Sequence, residues 1–369
     1  MLEGERVTTD YRQGEIKVDT QIIKCPSCGG NMVFDPSAQK LHCEHCGTIE
    51  DVGARVLANE KSILEGFALD KKRNAKEPTV FFCDNCGAKV VLAKDQTATE
   101  CPFCGTNHVS QTKELIGLKP NAVLPFQLDM ESAVNLTKTW AKKKFFAPRA
   151  FKKNIKAEKV KGVYTPFFTF DSVTSTIYSA RLGKRHTRVV GYGKNRRTET
   201  YTVWRTVSGT FNSRFNDVLI SAGTKIDQSA LHKIMPFSTT SSLRYNEKYL
   251  LGFMAYHYDK ELEPCWDSAK ASMDTQIKAD ILRGYDYDTV GSFNMATTHQ
   301  NVTYKYVMLP VYVGNFAYKS KVYNFYVNGE TGKVTGKTPI SFWKVFSAIL
   351  IVLIPTIIMI VLMLLYQNT

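Results

Sequence analysis

Eight of the nine cysteines in this chain fall into four C-x-x-C pairs. Residues 25–46 read CPSCGGNMVFDPSAQKLHCEHC, and residues 83–104 read CDNCGAKVVLAKDQTATECPFC. Each set is C-x-x-C, 14 residues, C-x-x-C, and the second repeats the first at an offset of 58 (25 to 83, 46 to 104). Glycine follows the second cysteine of every pair. A C-x-x-C turn aims two sulfurs at one point, and two such turns close a tetrahedral four-thiolate site. The candidate ligands are Cys25, Cys28, Cys43 and Cys46 for one ion and Cys83, Cys86, Cys101 and Cys104 for a second. Two structural Zn2+ sites are expected. Rubredoxin-like iron is the minor alternative, because a closed site of this kind suits zinc. Disulfides are the other alternative, opposed by the regular pairing and by a reducing compartment. His42, His45 and His108 lie close in sequence but are not needed, since eight cysteines fill two sites.

The elements that must position these sulfurs are short hairpins, with strands at 32–34 and 90–92. Each unit of about 25 residues is too small to fold on its own core, so the metal supplies folding energy. The expected layout is zinc ribbon 1 at 22–50, a helical connector at 51–79 and zinc ribbon 2 at 80–110. Within the connector, Val56, Leu57, Ile63, Leu64, Phe67 and Ala68 follow helical spacing over 54–72.

No catalytic constellation is found. G-x-S-x-G, H-E-x-x-H and a G-x-G-x-x-G after a strand are all missing. GKVTGKT, at 332–338, lacks a P-loop's glycine spacing and helix, and reads as a turn-rich linker. Asp171, Asp286, Asp288 and His257 read as scattered surface charges, and Cys265 as a buried apolar residue on a helix. Neither a catalytic nor a cofactor-binding residue is assigned, and the chain is expected not to be an enzyme.

Residues 345–366 contain no charge. At 1.5 Å per residue a helix of that length covers roughly 33 Å, enough for a bilayer's hydrocarbon core. A membrane span is therefore expected at 342–366, with Phe342 and Trp343 as interfacial anchors and Pro355 inside. Lys333, Lys337 and Lys344 precede it and no cation follows. The positive-inside rule then puts the amino-terminal bulk in the cytoplasm, at the cell membrane. The first 20 residues hold no apolar stretch, so a signal peptide is not expected and the chain reads as tail-anchored.

Between them, 118–341 is aromatic and β-branched. Asp129 is expected to cap a helix over 130–144, and a second helix is expected over 264–283. Strand patterns occupy 163–170, 174–182, 198–210, 249–258, 302–316 and 321–327, and 323–335 reads as a closing hairpin. The expected fold class is thus two small metal-stabilised β ribbons, an α+β antiparallel β-rich domain and one C-terminal transmembrane helix.

The chain carries 48 Lys+Arg against 34 Asp+Glu, net +14, which predicts an anionic neighbour. Apolar residues at 44% and charged residues at 22% exclude disorder and coiled coil as the main architecture. Ten cations and one acid lie between Lys138 and Lys161, among them Lys142, Lys143, Lys144, Arg149, Lys152 and Lys153, interleaved with Phe145, Phe146 and Phe151. Seven cations and no acid lie between Arg181 and Arg197, among them Lys184, Arg185, Arg188 and Arg196. The first patch is placed at a helix end and loop, the second on a hairpin tip. Three readings stand: a solvated basic face, anionic lipid at the inner leaflet, or nucleic acid.

The chain resembles the bacterial membrane-anchored proteins with TFIIB-type (double) zinc ribbons, often mislabelled primosomal protein N′ or superfamily II helicase-like. The resemblance rests on CPSCGG, CDNCG and CPFCG, on YTPFF at 164–168, LPVYVG at 309–314 and above all VNGETGKVTGKTPIS at 327–341. Phe167 and Phe168 stand where that family often has tryptophan. The resemblance implies no enzymatic activity. It implies a membrane scaffold or adaptor whose partner carries an SPFH (flotillin-like) or virion-core-like domain, in envelope or membrane stress. The rival expectation is a membrane-tethered nucleic-acid-binding protein. The ribbon loops DPSAQK and AKDQTA are nearly neutral, which weakens base readout.

Overall fold

The computed structural model describes residues 23–71, 80–83, 89–91, 109–112, 118–153, 160–226, 228–318 and 321–367. The chain opens with β1 (Met32–Asp35), β2 (Lys40–Cys43) and β3 (Ile49–Glu50), an antiparallel three-stranded sheet in sequence order. Next come β4 (Lys61–Ser62), α1 (Ile63–Lys71), β5 (Val80–Cys83), β6 (Lys89–Val91) and β7 (Val109–Thr112). The larger domain comprises β8 (Ala122–Val123), α2 (Met130–Lys142), α3 (Arg149–Lys153), β9 (Val160–Val190), β10 (Arg197–Ser221) and α4 (Gln228–Ile234). It continues with β11 (Leu243–Arg244), β12 (Met254–Tyr256), α5 (Leu262–Arg283), β13 (Thr289–Tyr318), β14 (Lys321–Asn328) and β15 (Val334–Gly336), and α6 (Phe342–Gln367) follows it.

Three long strands dominate. β9, β10 and β13 have 31, 25 and 30 residues, with β9 paired antiparallel to the other two on its two edges. At about 3.3 Å per residue, β9 runs roughly 100 Å along its contour. The expected breaks within 163–182 do not occur. Asp171 and Ser172 are absorbed by bulges at Phe215/Val218 and Gln300/Thr303 in the flanking strands, where Asp217 and Asn301 take φ of 52° and 51°. Beyond Gly183 only β9 and β10 continue, as a two-stranded ribbon of Thr, Val and Arg that needs no core to satisfy its backbone. Short parallel pairs (β12 with β9, β8 with β13) complete an otherwise antiparallel sheet.

Alternation sorts the core. Tyr164, Phe168, Phe170, Tyr304, Tyr306, Met308 and Tyr312 face one side, where Trp266, Ala269 and Met273 of α5 and Ala133 and Val134 of α2 cover them. Val163, Phe167, Val307, Leu309, Val311 and Val313 face the other, under Ala230, Leu231 and Ile234 of α4. Both faces are buried, so the central segments read as near-continuous apolar runs. YTPFF and LPVYVG meet here, with Leu309 paired to Thr165 and Pro310 to Tyr164. Asp129 caps α2 as expected, its carboxylate accepting from Ser132 N at 2.7 Å. The closing hairpin also forms, Val327 pairing with Val334. Asn328 is fully buried at its turn, donating to the Ile234 and Pro236 carbonyls and accepting from Glu330 N and Thr331 N. GKVTGKT is thereby accounted for as turn and strand.

The connector differs from expectation. Helix is confined to Ile63–Lys71, while Val56 and Ala58 hydrogen-bond in strand fashion to Arg244 and Ser242. An available sheet edge outcompeted the helical propensity of 54–60. α6 spans 26 residues with Pro355 inside, and it is the one candidate membrane-spanning helix among the described residues. Its apolar side chains are open, with Ile351 72% exposed. A helix apolar all round, its most apolar window unburied among the described residues, suits single-pass anchoring in lipid.

Candidate metal centre

Two matching turns build the site. In each, the amide after the second cysteine reaches back to the carbonyl of the first: Gly29 N to Cys25 O at 2.9 Å, Gly47 N to Cys43 O at 2.8 Å. Both glycines adopt left-handed φ, 73° and 75°, which a side chain would strain. Gly30 serves a different need. A Cβ there would stand 3.2 Å from Cys43 Sγ and 3.3 Å from Cys28 Sγ, so the position must stay bare for the sulfurs to converge. The β1–β2 hairpin places Met32 opposite Cys43 and thereby delivers the second turn against the first.

The sulfurs of Cys25, Cys28, Cys43 and Cys46 all lie within 4.8 Å of one another. Cys25 and Cys46 are 3.4 Å apart, Cys28 and Cys43 3.5 Å. A tetrahedral Zn–S bond of about 2.3 Å implies sulfur–sulfur edges of roughly 3.8 Å. The cage is thus near the size of a four-thiolate metal site, and its cysteines are free rather than disulfide-bonded. His42 and His45 are not members of the cluster. Cys25 and Cys43 are buried, whereas Cys28 and Cys46 are exposed.

Electrostatics point the same way. Burial pushes the Cys25 thiol up, but the Cys28 and Ser27 amides and the Thr48 hydroxyl outweigh it and hold it at about 6. The Gly30 amide favours a thiolate at Cys28, yet the Cys46 and Cys43 sulfurs drive it up to about 12. Four sulfurs this close cannot all ionise by themselves; a divalent cation between them is what would let them. These residues fit zinc, which would be held by four protein ligands with no position open to substrate. Cys83 ends β5, while Cys86, Cys101, Cys104 and His108 lie outside the described residues.

The sulfur cage does not stand apart from the larger domain. Phe34 N donates to Leu251 O at 3.0 Å, and the Phe34 ring meets Tyr249 edge-on at 5.2 Å. The hairpin loop is tied down too, Gln39 Nε2 donating to Phe126 O at 2.6 Å. Met32, Phe34, Leu41 and the two buried cysteines belong to the same apolar cluster as Phe126 and Tyr164.

A second cluster was not legible in the sequence. Glu60, Asp171 and Asp217 bring carboxylate oxygens within 4.8 Å of one another, around buried Lys305. The lysine stands 2.6 Å from Asp217 and 3.5 Å from Glu60. Thr303 Oγ1 donates to Glu60 at 2.6 Å, and Asp217 N to Asp171 at 2.7 Å. Burial lifts Asp171 to about 6, with adjacent Glu60 adding to the effect. Asp171 is therefore no scattered surface charge. Its partners come from three other segments, at Glu60, Asp217 and Lys305. The lysine supplies the positive charge, which makes the cluster an ionic latch between connector and sheet. Asp286 and Asp288 pair with Lys184, at 2.5 and 3.7 Å. His257 Nδ1 lies 3.0 Å from Tyr258 O. Cys265 is buried as expected, its thiol raised to about 12 by burial.

The two basic patches lie at opposite ends of β9. The first precedes it: Lys142 ends α2, Lys143 and Lys144 lie in the turn between α2 and α3, and Arg149, Lys152 and Lys153 lie on α3. Arg181 lies just before the distal ribbon, where β13 still pairs with β9, and Lys184, Arg185, Arg188, Arg196 and Arg197 occupy the ribbon and its tip. There, Arg188 and Arg197 share Glu199 at 3.3 and 2.9 Å, and Arg181 lies over Trp204 at 5.0 Å. Half of the six distal cations therefore have a carboxylate partner.

No protein-family model matches the chain, and no solved structure does. Among curated proteins, the chain is similar to the Bacillus subtilis (strain 168) Uncharacterized protein YdjG. The two are 29% identical over 325 residues, which covers 87% of this chain and 91% of that protein.

Proposed function

We propose that this protein is a non-enzymatic scaffold, moored in the cell membrane by α6 with its folded part in the cytoplasm. One observation carries the reading: a closed four-sulfur cage is built into the core of a β-rich domain that ends in an uncovered apolar helix. An ion with four protein ligands has no position for substrate, so its work is mechanical. It fixes β1–β3 against Leu251, Tyr249 and Phe126 and so stiffens one face of the domain. The connector beside that face leaves Val56, Leu57, Leu64 and Leu69 more than half exposed, a surface suited to docking a protein partner. The family resemblance suggests that this partner carries an SPFH-type domain. Zinc in two ribbons and a cytoplasmic orientation, from Lys333, Lys337 and Lys344 ahead of the span, complete the proposal.

The test is affinity capture of the full chain from gently solubilised membranes, with mass spectrometry and metal analysis of the eluate. Wild type should carry zinc and a reproducible protein partner, and Cys43→Ser should lose both while remaining in the membrane fraction. A Cys43→Ser chain that recovers every wild-type partner would defeat the docking role. External protease that removes the folded part from intact cells would defeat the orientation.

A further inference from the structure

The turn between α2 and α3 is fastened to the start of α6. Ser341 N donates to Phe146 O at 2.8 Å, and Lys344 Nζ donates to Phe145 O and Ala147 O at 3.0 and 2.7 Å. The Lys344 ammonium also lies over the Phe145 ring, 6.0 Å from its centre. Phe145 and Phe146 pack edge to face at 5.2 Å, yet remain 69% and 44% exposed. Below them, Phe146, Val345, Ala348, Ile349, Val352 and Leu353 line a groove of about 360 Å³ with no charged residue in its wall. The groove follows α6 for two turns past Val345, roughly 12 Å toward hydrocarbon depth. The turn is flanked by Lys142 at the end of α2, Lys143, and Arg149 at the start of α3, all exposed, and positions 138–153 contain no acid.

We infer that this turn is a second membrane contact and a binding site for an anionic phospholipid. An acyl chain lies in the groove between Phe146 and α6, and Lys142, Lys143 and Arg149 hold the headgroup phosphate. Two open phenyl rings beside a span suit burial at the boundary between headgroups and acyl chains. A cation run without acids selects anionic over zwitterionic headgroups. With two contacts instead of one, the domain cannot swivel freely about the span, and the far end of β9 is held at a set attitude to the membrane.

The inference rests on the reading of α6 as a span, and the two are separable by experiment. The full chain, wild type and K142Q/K143Q/R149Q, is reconstituted into vesicles of phosphatidylcholine with a minor share of phosphatidylglycerol. It is extracted gently, and the co-purified lipid is analysed. Both chains should resist alkaline carbonate extraction, which reports α6 alone. Wild type should retain phosphatidylglycerol about twofold or more above its bulk share, and the variant should return to that share. Excess inorganic phosphate should not displace the lipid. Equal enrichment in both chains, or none in wild type, overturns the site. So does RNA binding by wild type in pure phosphatidylcholine that the variant loses, with no lipid enrichment. Independently, the emission added by Phe145→Trp should be quenched by lipids brominated near the headgroup. Quenching no greater than in the parent overturns the insertion of the turn.

Discussion

Lys305 offers the sharpest test of how the connector is held to the sheet. Its side chain is 6% exposed and that of Asp217 is 5% exposed, so water screens the pair weakly. At 2.6 Å and an effective dielectric near 20, the attraction is about 6 kcal/mol. The cost of drying both charges offsets part of this. Replacing Lys305 by methionine keeps the packed stem but strands Asp217, whose Oδ2 has no donor. Breaking a buried pair this way costs about 3–5 kcal/mol. For a domain of this size that is a fall in Tm of roughly 6–20 °C. Thermal melts of the full chain in mild detergent, followed by near-ultraviolet circular dichroism, would read it. Asparagine at 217 tolerates the left-handed backbone there (φ 52°), so Lys305→Met/Asp217→Asn should recover much of the loss. A Lys305→Met chain that melts within about 2 °C of wild type would refute the latch, since even 1 kcal/mol shifts Tm further. So would single losses that simply add in the double variant.

Three further outcomes are expected. Cys43→Ser should lower the metal-to-protein ratio by one ion and expose the amides of 25–50 to hydrogen exchange, because a four-thiolate zinc contributes about 10–16 kcal/mol; Cys265→Ser should leave the ratio unchanged. Burial raises the Asp171 carboxyl, and Glu60 adds to this. The stability from its neutral form is therefore present below about pH 4 and lost as pH rises through about 6. Asp171→Asn keeps the acceptor for Asp217 N, so it should flatten the stability–pH curve across that window and melt no lower than wild type at alkaline pH. Asn328→Ala should destabilise by about 3 kcal/mol or more, seen as a lowered melting temperature, since it strands the Glu330 and Thr331 amides and the Ile234 and Pro236 carbonyls.

Much of this molecule is local and so was legible before folding. The sulfur cage follows from two turns and one hairpin: spacing alone brings Cys25, Cys28, Cys43 and Cys46 within reach, and glycines 29, 30 and 47 are the residues such turns require. α6 needs only an uninterrupted apolar run. The Asp129 cap of α2 is local too, and the buried stripes of α2 and α5 recur every 3.6 residues, as a buried face must.

Other features depend on what lies across space. The connector's periodicity spells a longer helix, because a local pattern cannot see the β11 edge that captures 54–60. Asp171 looked like a stray charge because Glu60, Asp217 and Lys305 lie 111, 46 and 134 positions away along the chain (171 to 60, 217 and 305). The two basic runs looked alike in composition, and only the length of β9 sets one beside the span and the other at a distal tip among carboxylates. Short-range geometry is written into neighbouring residues. Long-range charge pairing and the choice of sheet edge are decided when distant segments compete for the same partner, which no local pattern records.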